Sequence, residues 1–245
     1  MKKVYIILGM KRSGHHAIVN WIAHNHSNGF LHYNNCSSGW QRGDFTPNYR
    51  VGDTDMGIPL GQTKDIKHRI CNVEDLDLLK FRQYKMVDFE SLKKFDEVYF
   101  ALVLRDPYNW LASSIKVGGG IAPRTDSRIN LWKMQAEEYL GNTCHINAPL
   151  TFVNFPKWFS SKEYRERLSY QFGMKTSHKA VDLVSNQGNG SSFDKLKFQN
   201  NASGMKILQR WHSFRGRKYF NDLIKDNQLD KYQDLIFGGK DCKMI

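Results

Sequence analysis

The chain has 245 residues, 40% hydrophobic and 13% aromatic, enough apolar material to bury a sizeable core in one large domain or two small ones and too much for a disordered chain. Its 36 Lys plus Arg outnumber its 24 Asp plus Glu for a formal net charge of +12, which suits nucleic acid, an acidic membrane surface or a small polyanionic ligand. The cations are scattered as pairs and triplets (Lys11 with Arg12, Lys93 with Lys94, Arg215 with Arg217 and Lys218), not gathered in a basic tail, which argues against a nucleic-acid arm.

Residues 4–8 are an apolar run, followed by Gly9-Met10-Lys11-Arg12-Ser13-Gly14-His15-His16 and an amphipathic run over 17–23. This reads as strand, turn and helix. A glycine-rich turn entering a helix points free backbone N–H groups, and the positive end of the helix dipole, at whatever anion sits there. Gly9 and Gly14 have the spacing of the nucleotide-binding P-loop, but His15 and His16 stand where that motif requires Lys and then Ser or Thr. Losing both the phosphate-neutralising Lys and the metal-holding hydroxyl argues against metal-dependent NTP hydrolysis. What remains is an anion cradle with Lys11 and Arg12 placed before the second glycine. Taken alone, the spacing equally suits an ordinary strand-to-helix turn.

A short strand is expected over 30–33. Residues 34–67 are rich in Gly, Asn, Asp and Pro without periodicity, as in a variable acceptor-side insertion or a merely exposed excursion. The next strand, 69–73, is followed by Glu74 and Asp75 at its carboxyl edge, where open α/β sheets bind ligands; carboxylates there equally suit a helix N-terminus. Residues 98–104 form the strongest strand, a continuous apolar run expected at the centre of the sheet. It ends in Arg105-Asp106-Pro107, where Pro stops the strand and suits the first helical position, and 109–116 continue as a helix. After a loop of three glycines, 126–140 carry Ile129, Trp132, Ala136 and Tyr139 at helical spacing, a core stripe.

Residues 151–154 make another strand. Ser160-Ser161-Lys162-Glu163 reads as a capping box opening a helix with Tyr164, Leu168 and Phe172 on one face and Gly173 as its stop. Residues 186–192 are linker-like, giving either a hinge or a lid loop over 186–194, with Arg215, Arg217 and Lys218 as possible lid cations or plain surface. A helix over 202–214 with Ile207, Trp211 and Phe214 on one face, then two short helices over 218–225 and 228–237, close the chain. The alternation implies one α/β domain over 1–245, with three layers: a mainly parallel sheet of about four or five strands covered by helices on both faces.

Cys36, Cys71, Cys144 and Cys242 are widely separated, without C-x-x-C or Cys/His ligand spacing, so neither a metal site nor a disulfide framework is expected. The first apolar run is broken by Lys11 and Arg12 after about seven residues, too short to span a membrane and poorly built as a signal peptide. These features point to a cytoplasmic protein of a reducing compartment.

Two strand-turn-helix units, each with a cation at the strand end, resemble the sulfotransferases that use 3′-phosphoadenosine 5′-phosphosulfate (PAPS). Arg12-Ser13-Gly14-His15-His16 is similar to that family's 5′-phosphosulfate loop, commonly Lys or Arg followed by Ser-Gly-Thr-Thr. Arg105-Asp106-Pro107, with Ser113 eight residues after Arg105, is similar to its 3′-phosphate motif. A looser similarity extends through 154–173 and Gly190-Ser191-Ser192-Phe193, covering most of the chain apart from 34–67.

The resemblance implies transfer of a sulfuryl group from PAPS to a hydroxyl or amine of a small molecule, lipid or glycan, leaving 3′,5′-adenosine bisphosphate (PAP). Lys11, Arg12, Ser13, Gly14, His15 and His16 would surround the 5′-phosphosulfate, Arg105 and Ser113 the 3′-phosphate, and Ser191 and Ser192 would belong to the same nucleotide site. Sulfuryl transfer, like phosphoryl transfer, passes through a loose in-line transition state, so positioning and charge stabilisation dominate and no metal is required. Arg12 would stabilise the leaving group electrostatically, because a guanidinium does not give up a proton. The family's two Thr are replaced by His15 and His16. The base that takes the acceptor proton is left among His16, His32, Asp53 and Glu74, with His16 and Glu74 joining Arg12 in the expected catalytic set. The competing readings are a P-loop kinase-like phosphotransferase and a non-catalytic module for basic recognition of polyanions.

Overall fold

Five strands, β1 (Lys3–Gly9), β2 (Phe30–Tyr33), β3 (His68–Glu74), β4 (Glu97–Leu104) and β5 (Leu150–Asn154), form one parallel sheet in the order β2-β3-β1-β4-β5. The structure, a computed structural model, describes residues 1–25, 30–34, 67–83, 92–118, 125–174, 179–184, 191 and 193–238. Most of the 34–67 stretch with Asp53 and Cys36, most of the 186–194 loop with Ser192, and Cys242 lie outside the described residues.

The expected sheet is present, with β1 and not β4 at its centre. The first residues of β4 explain the difference, since Val98 is 37% exposed and only the second half of the strand is covered on both faces. Strand β1 alternates as a centre strand does. Tyr5 and Ile7 face helices α1 (His15–His24), α5 (Phe155–Ser160) and α6 (Lys162–Gln171), whereas Val4, Ile6 and Leu8 face α2 (Leu78–Gln83). Burying each of Ile6, Ile7 and Leu8, none of which retains exposed surface, contributes roughly 1.5–3 kcal/mol. A third apolar cluster joins α3 (Pro107–Gly118), α4 (Thr125–Tyr139), α7 (Lys218–Asp226) and α8 (Leu229–Tyr232), the last running on into a π turn, Gln233–Phe237. Trp110, Trp132, Phe220 and Leu229 are among its fully buried members.

Three local expectations are corrected. The helix over 202–214 is instead two short 3₁₀ turns, Ala202–Gly204 and Arg210–Phe214. Its backbone is used by the neighbouring helix: Arg105 Nη2 donates to the Ile207 carbonyl, Asn109 Nδ2 to the Leu208 carbonyl at 2.9 Å, and Trp211 N–H donates to Asn109 Oδ1 at 3.2 Å. These tertiary bonds replace the helical ladder. The cap of α6 is Ser161, which accepts from Tyr164 N–H at 3.1 Å, while Ser160 closes α5. Helix α5 was not foreseen, although Asn154, which accepts from Lys157 N–H at 3.0 Å, and the early Pro156 are its start signal.

The register sets the site. Gly9 at the end of β1 lies opposite Glu74 on β3 and Val103 on β4, so the turn into α1, the β3 carboxylate and Arg105 all emerge at one carboxyl edge. No helix among the described residues is long and apolar enough to cross a membrane.

Candidate active site

The turn between β1 and α1 has its carbonyls tied outward. Gly9 O accepts from Asp75 N–H at 3.0 Å and Met10 O from Ser13 N–H at 3.0 Å. Lys11 O accepts from Trp110 Nε1 at 3.0 Å, and Arg12 O from Arg105 Nη1 at 3.2 Å. Asp75 Oδ1 takes the Lys11 N–H at 2.8 Å. The N–H groups of Gly14, His15 and His16 have no partner among the described residues, and they sit at the positive end of α1. Gly14 is in the left-handed region, φ 89°, and a Cβ there would come within 2.3 Å of the Phe155 ring. Arg12 is left-handed too, φ 71°, a conformation that a non-glycine residue adopts only when its surroundings hold it.

A second cationic locus lies where β4 ends. Arg105, 3% exposed, donates from Nη1 to Ser113 Oγ at 3.2 Å, and its guanidinium sits 5.6 Å from the Phe155 ring centroid. Arg210 reaches the same hydroxyl from the 3₁₀ turn at 3.5 Å, donates to Ser191 Oγ at 2.6 Å and pairs with Asp194 at 3.5 Å. Burial and the charge of Arg210 push Arg105 down to about 9, with Asp106 only partly opposing them; both guanidiniums remain charged at neutral pH. The Nε of each is buried without a partner. Two buried cations share one hydroxyl here, with Asp194 beside Arg210 and Asp106 beside Arg105, and the cluster remains able to take a further anion.

The third component is polar. Glu74 Oε1 accepts from His15 Nε2 at 2.6 Å and lies 3.5 Å from His16 Nε2, while Oε2 is 3.9 Å from Lys11 Nζ. His15 Nδ1 meets Ser13 Oγ at 3.3 Å. His16 Nε2 donates to Asn34 Oδ1 at 3.2 Å, the same oxygen that takes the Asn72 amide at 3.0 Å, and His32 Nε2 donates to Asn72 Oδ1 at 2.6 Å. Because a carboxylate and an amide oxygen only accept, the three Nε2 atoms carry the hydrogens. Burial pushes Glu74 up, but the His15 hydrogen bond and the charges of His15, His16 and Lys11 override it and hold the carboxyl at about 2. Burial, then His15, pushes His16 down to about 3.

One cavity of about 410 Å³ is lined by Lys11, Arg12, Gly14, His15, His16, Asn34, Glu74, Arg105, Ser191 and Arg210, with an apolar wall that includes Phe155, Trp158, Phe159 and Ile207. Ser13 and Ser113 stand behind it as supports, at 1% and 0% exposure. His32 does not line it and is linked to it through Asn72. Arg215, Arg217 and Lys218 are not part of the lining either; Lys218 pairs with Asp222 on α7 at 2.7 Å, and Arg217 lies over the Phe214 ring. The sequence reading missed Arg210, Asn34 and Phe155. It also expected no metal ligands, whereas His15, His16 and Glu74 bring three ligand atoms within 4.8 Å of one another.

No family model and no curated protein matches the sequence. Among solved structures, the chain is similar to that of a mouse sulfotransferase, SULT7A1, complexed with PAP, at a TM-score of 0.51 and 10% identity over 97% of this chain and 86% of that one. It is also similar to the sulfotransferase domain of an olefin synthase from Synechococcus PCC 7002, at a TM-score of 0.50 and 12% identity over 93% and 94%. The chain therefore has the sulfotransferase fold.

Proposed function

We propose that this chain is a sulfotransferase that takes a sulfuryl group from PAPS and passes it to a hydroxyl or amine of a small molecule, lipid or glycan. The observation that carries the reading is that two separate anion sites open on one cavity. One is the N–H cradle with Lys11 and Arg12, the other the Arg105–Ser113–Arg210 cluster. A ligand with phosphates at both its 5′ and 3′ ends satisfies both, and the unpartnered Nε atoms of Arg105 and Arg210 favour the second anion. The apolar wall suits a purine.

PAPS supplies an activated sulfuryl group attached to a phosphate leaving group. Around it, Gly14, His15 and His16 would offer backbone N–H groups to the 5′ end, and Arg12 would offset the negative charge that grows on the departing phosphate. Ser13 would act from behind, through His15. Arg105 and Arg210 would hold the 3′-phosphate, with Ser113 between them and Ser191 bracing Arg210. At the β3 side His16 has its Nε2 hydrogen committed to Asn34, which leaves Nδ1 to accept the acceptor's proton, with Glu74 beside the imidazolium that results. Asn34 opens the 34–67 stretch, which supports placing the acceptor on that side. Neither Cys71 nor Cys144 is in a disulfide, which accords with a cytoplasmic location.

The test is a thermal-shift comparison of PAP, ATP and AMP without added metal. At about 100 times its dissociation constant PAP should add roughly 2.7 kcal/mol, an upward shift of roughly 5–10 °C for a chain of this size. Equal shifts for the three nucleotides would defeat the reading.

A further inference from the structure

We propose that His15, His16 and Glu74 form a binding site for a borderline divalent ion, Zn²⁺ or Co²⁺, at the β3 side of the cavity. Each of the three presents one ligand atom within 4.8 Å of the other two. A tetrahedral zinc with bonds of about 2.0–2.1 Å keeps its ligand atoms about 3.3 Å apart. His16 Nε2 and Glu74 Oε1 already stand at 3.5 Å. His15 Nε2 and Glu74 Oε1, at 2.6 Å, have the spacing of a hydrogen bond and need to open by about 0.7 Å to reach the zinc value, within the reach of a side-chain rotation of Glu74. The two imidazoles, 4.4 Å apart between centroids and 67° between planes, direct both Nε2 atoms at the same carboxylate oxygen.

The surroundings match those of a metal ligand set. Ligation through Nε2 moves each ring hydrogen to Nδ1, and for His15 that hydrogen then points at Ser13 Oγ, 3.3 Å away. A second hydrogen bond of that kind orients a metal-binding imidazole. The ligands are carried by rigid elements, the first turn of α1 and the end of β3, whose register with β1 is fixed. Two imidazoles and one carboxylate, without a thiolate, select zinc, cobalt or nickel over magnesium or calcium. All three side chains line the cavity, from which an ion can reach them. Lys11 and Arg12 stand beside the site and weaken it relative to a closed structural zinc centre, which makes the ion exchangeable.

An ion there takes His16 Nε2 and moves the ring hydrogen to Nδ1, the atom that would receive the acceptor's proton, so it blocks proton transfer and acts as an inhibitor. That consequence rests on the sulfotransferase reading; the coordination does not. The test is a Co²⁺ titration of the full chain followed by visible d–d absorption, with Zn²⁺ and Mg²⁺ as competitors. Intense tetrahedral-type bands should saturate at one equivalent, vanish with Zn²⁺ and persist with Mg²⁺. His16→Ala and Glu74→Gln, each checked for an unchanged melting profile without metal, should each lose at least about tenfold in cobalt affinity. The absence of such bands, a thiolate charge-transfer band, or bands that survive in both variants would overturn the site. PAP thermal shifts on the same preparations keep the two ideas apart. Bands that depend on Glu74 and His16 without any PAP shift sustain the metal site and defeat the transfer reading, and a PAP shift without bands does the reverse.

Discussion

Arg105 and Arg210, buried and 105 positions apart in sequence, point their guanidiniums at the same hydroxyl, that of Ser113, from 3.2 and 3.5 Å. Like charges brought this close inside a protein are costly unless a counter-charge joins them. Asp194 lies on the far side of Arg210, and Asp106 is engaged by Asn109, which donates to its Oδ1 at 2.8 and 2.9 Å. The pair is thus held ready for an anion by the fold.

Arg210→Ala should therefore cost PAP about 1.5–3 kcal/mol of binding, the range for hydrogen bonds to a charged group, and leave AMP nearly unaffected. Calorimetric titration of both nucleotides measures the difference. Equal losses for PAP and AMP would remove Arg210 from the 3′-phosphate site. Arg210 is the better probe of the two, because Arg105 also holds the Arg12 and Ile207 carbonyls.

Gly14→Ala tests the turn itself. The left-handed φ costs an alanine about 1–2 kcal/mol, and the clash with the Phe155 ring adds to it. Urea melts should show a loss above that range, and Phe155→Leu in the same chain should recover only the clash portion. An alanine variant as stable as wild type would mean that the turn is not built as described.

Glu138 gives a pH dependence. Buried at the end of α4, it accepts from Thr143 Oγ1 at 2.6 Å, His145 N–H at 2.9 Å and Ile146 N–H at 2.9 Å. Burial raises its pKa, but these bonds, led by the His145 N–H, outweigh it and leave the folded value below the ordinary 4.5. A depressed folded pKa means stability that is fully present above about pH 4.5 and is lost as pH falls through the lower folded value. Glu138→Ala should cost about 2–3 kcal/mol at pH 7, and its deficit relative to wild type should shrink steadily below pH 4.5. A deficit independent of pH would assign the cost to packing.

The sequence made the frame legible because strands covered on both faces are written as unbroken apolar runs, as in the second half of β4, and because Pro107 and Gly173 mark helix ends by backbone geometry alone. Glu74 could be placed at a strand end. That it meets His15 could not, since the contact depends on the parallel register of β1 with β3, and no local pattern encodes register between distant strands. Arg210 was hidden for a related reason. Ile207, Trp211 and Phe214 have helical spacing, yet Ile207 belongs to one core cluster and the other two to another. A periodicity count could not tell one amphipathic face from two separate anchors, and the arginine between them is aimed by tertiary bonds to Ser113 and Ser191.

Arg105 grips the Arg12 carbonyl and the Ser113 hydroxyl with the same nitrogen, Nη1. The two proposed anion sites therefore share one guanidinium: on that reading, a phosphate drawing Arg105 at one end would tug the peptide that shapes the cradle at the other. A ligand charged at both ends satisfies the whole linkage at once, whereas one charged at a single end leaves Nη1 to serve two masters. On the sulfotransferase reading, discrimination against nucleotides with one phosphate group would be built into the backbone of the turn as well as into the count of positive charges.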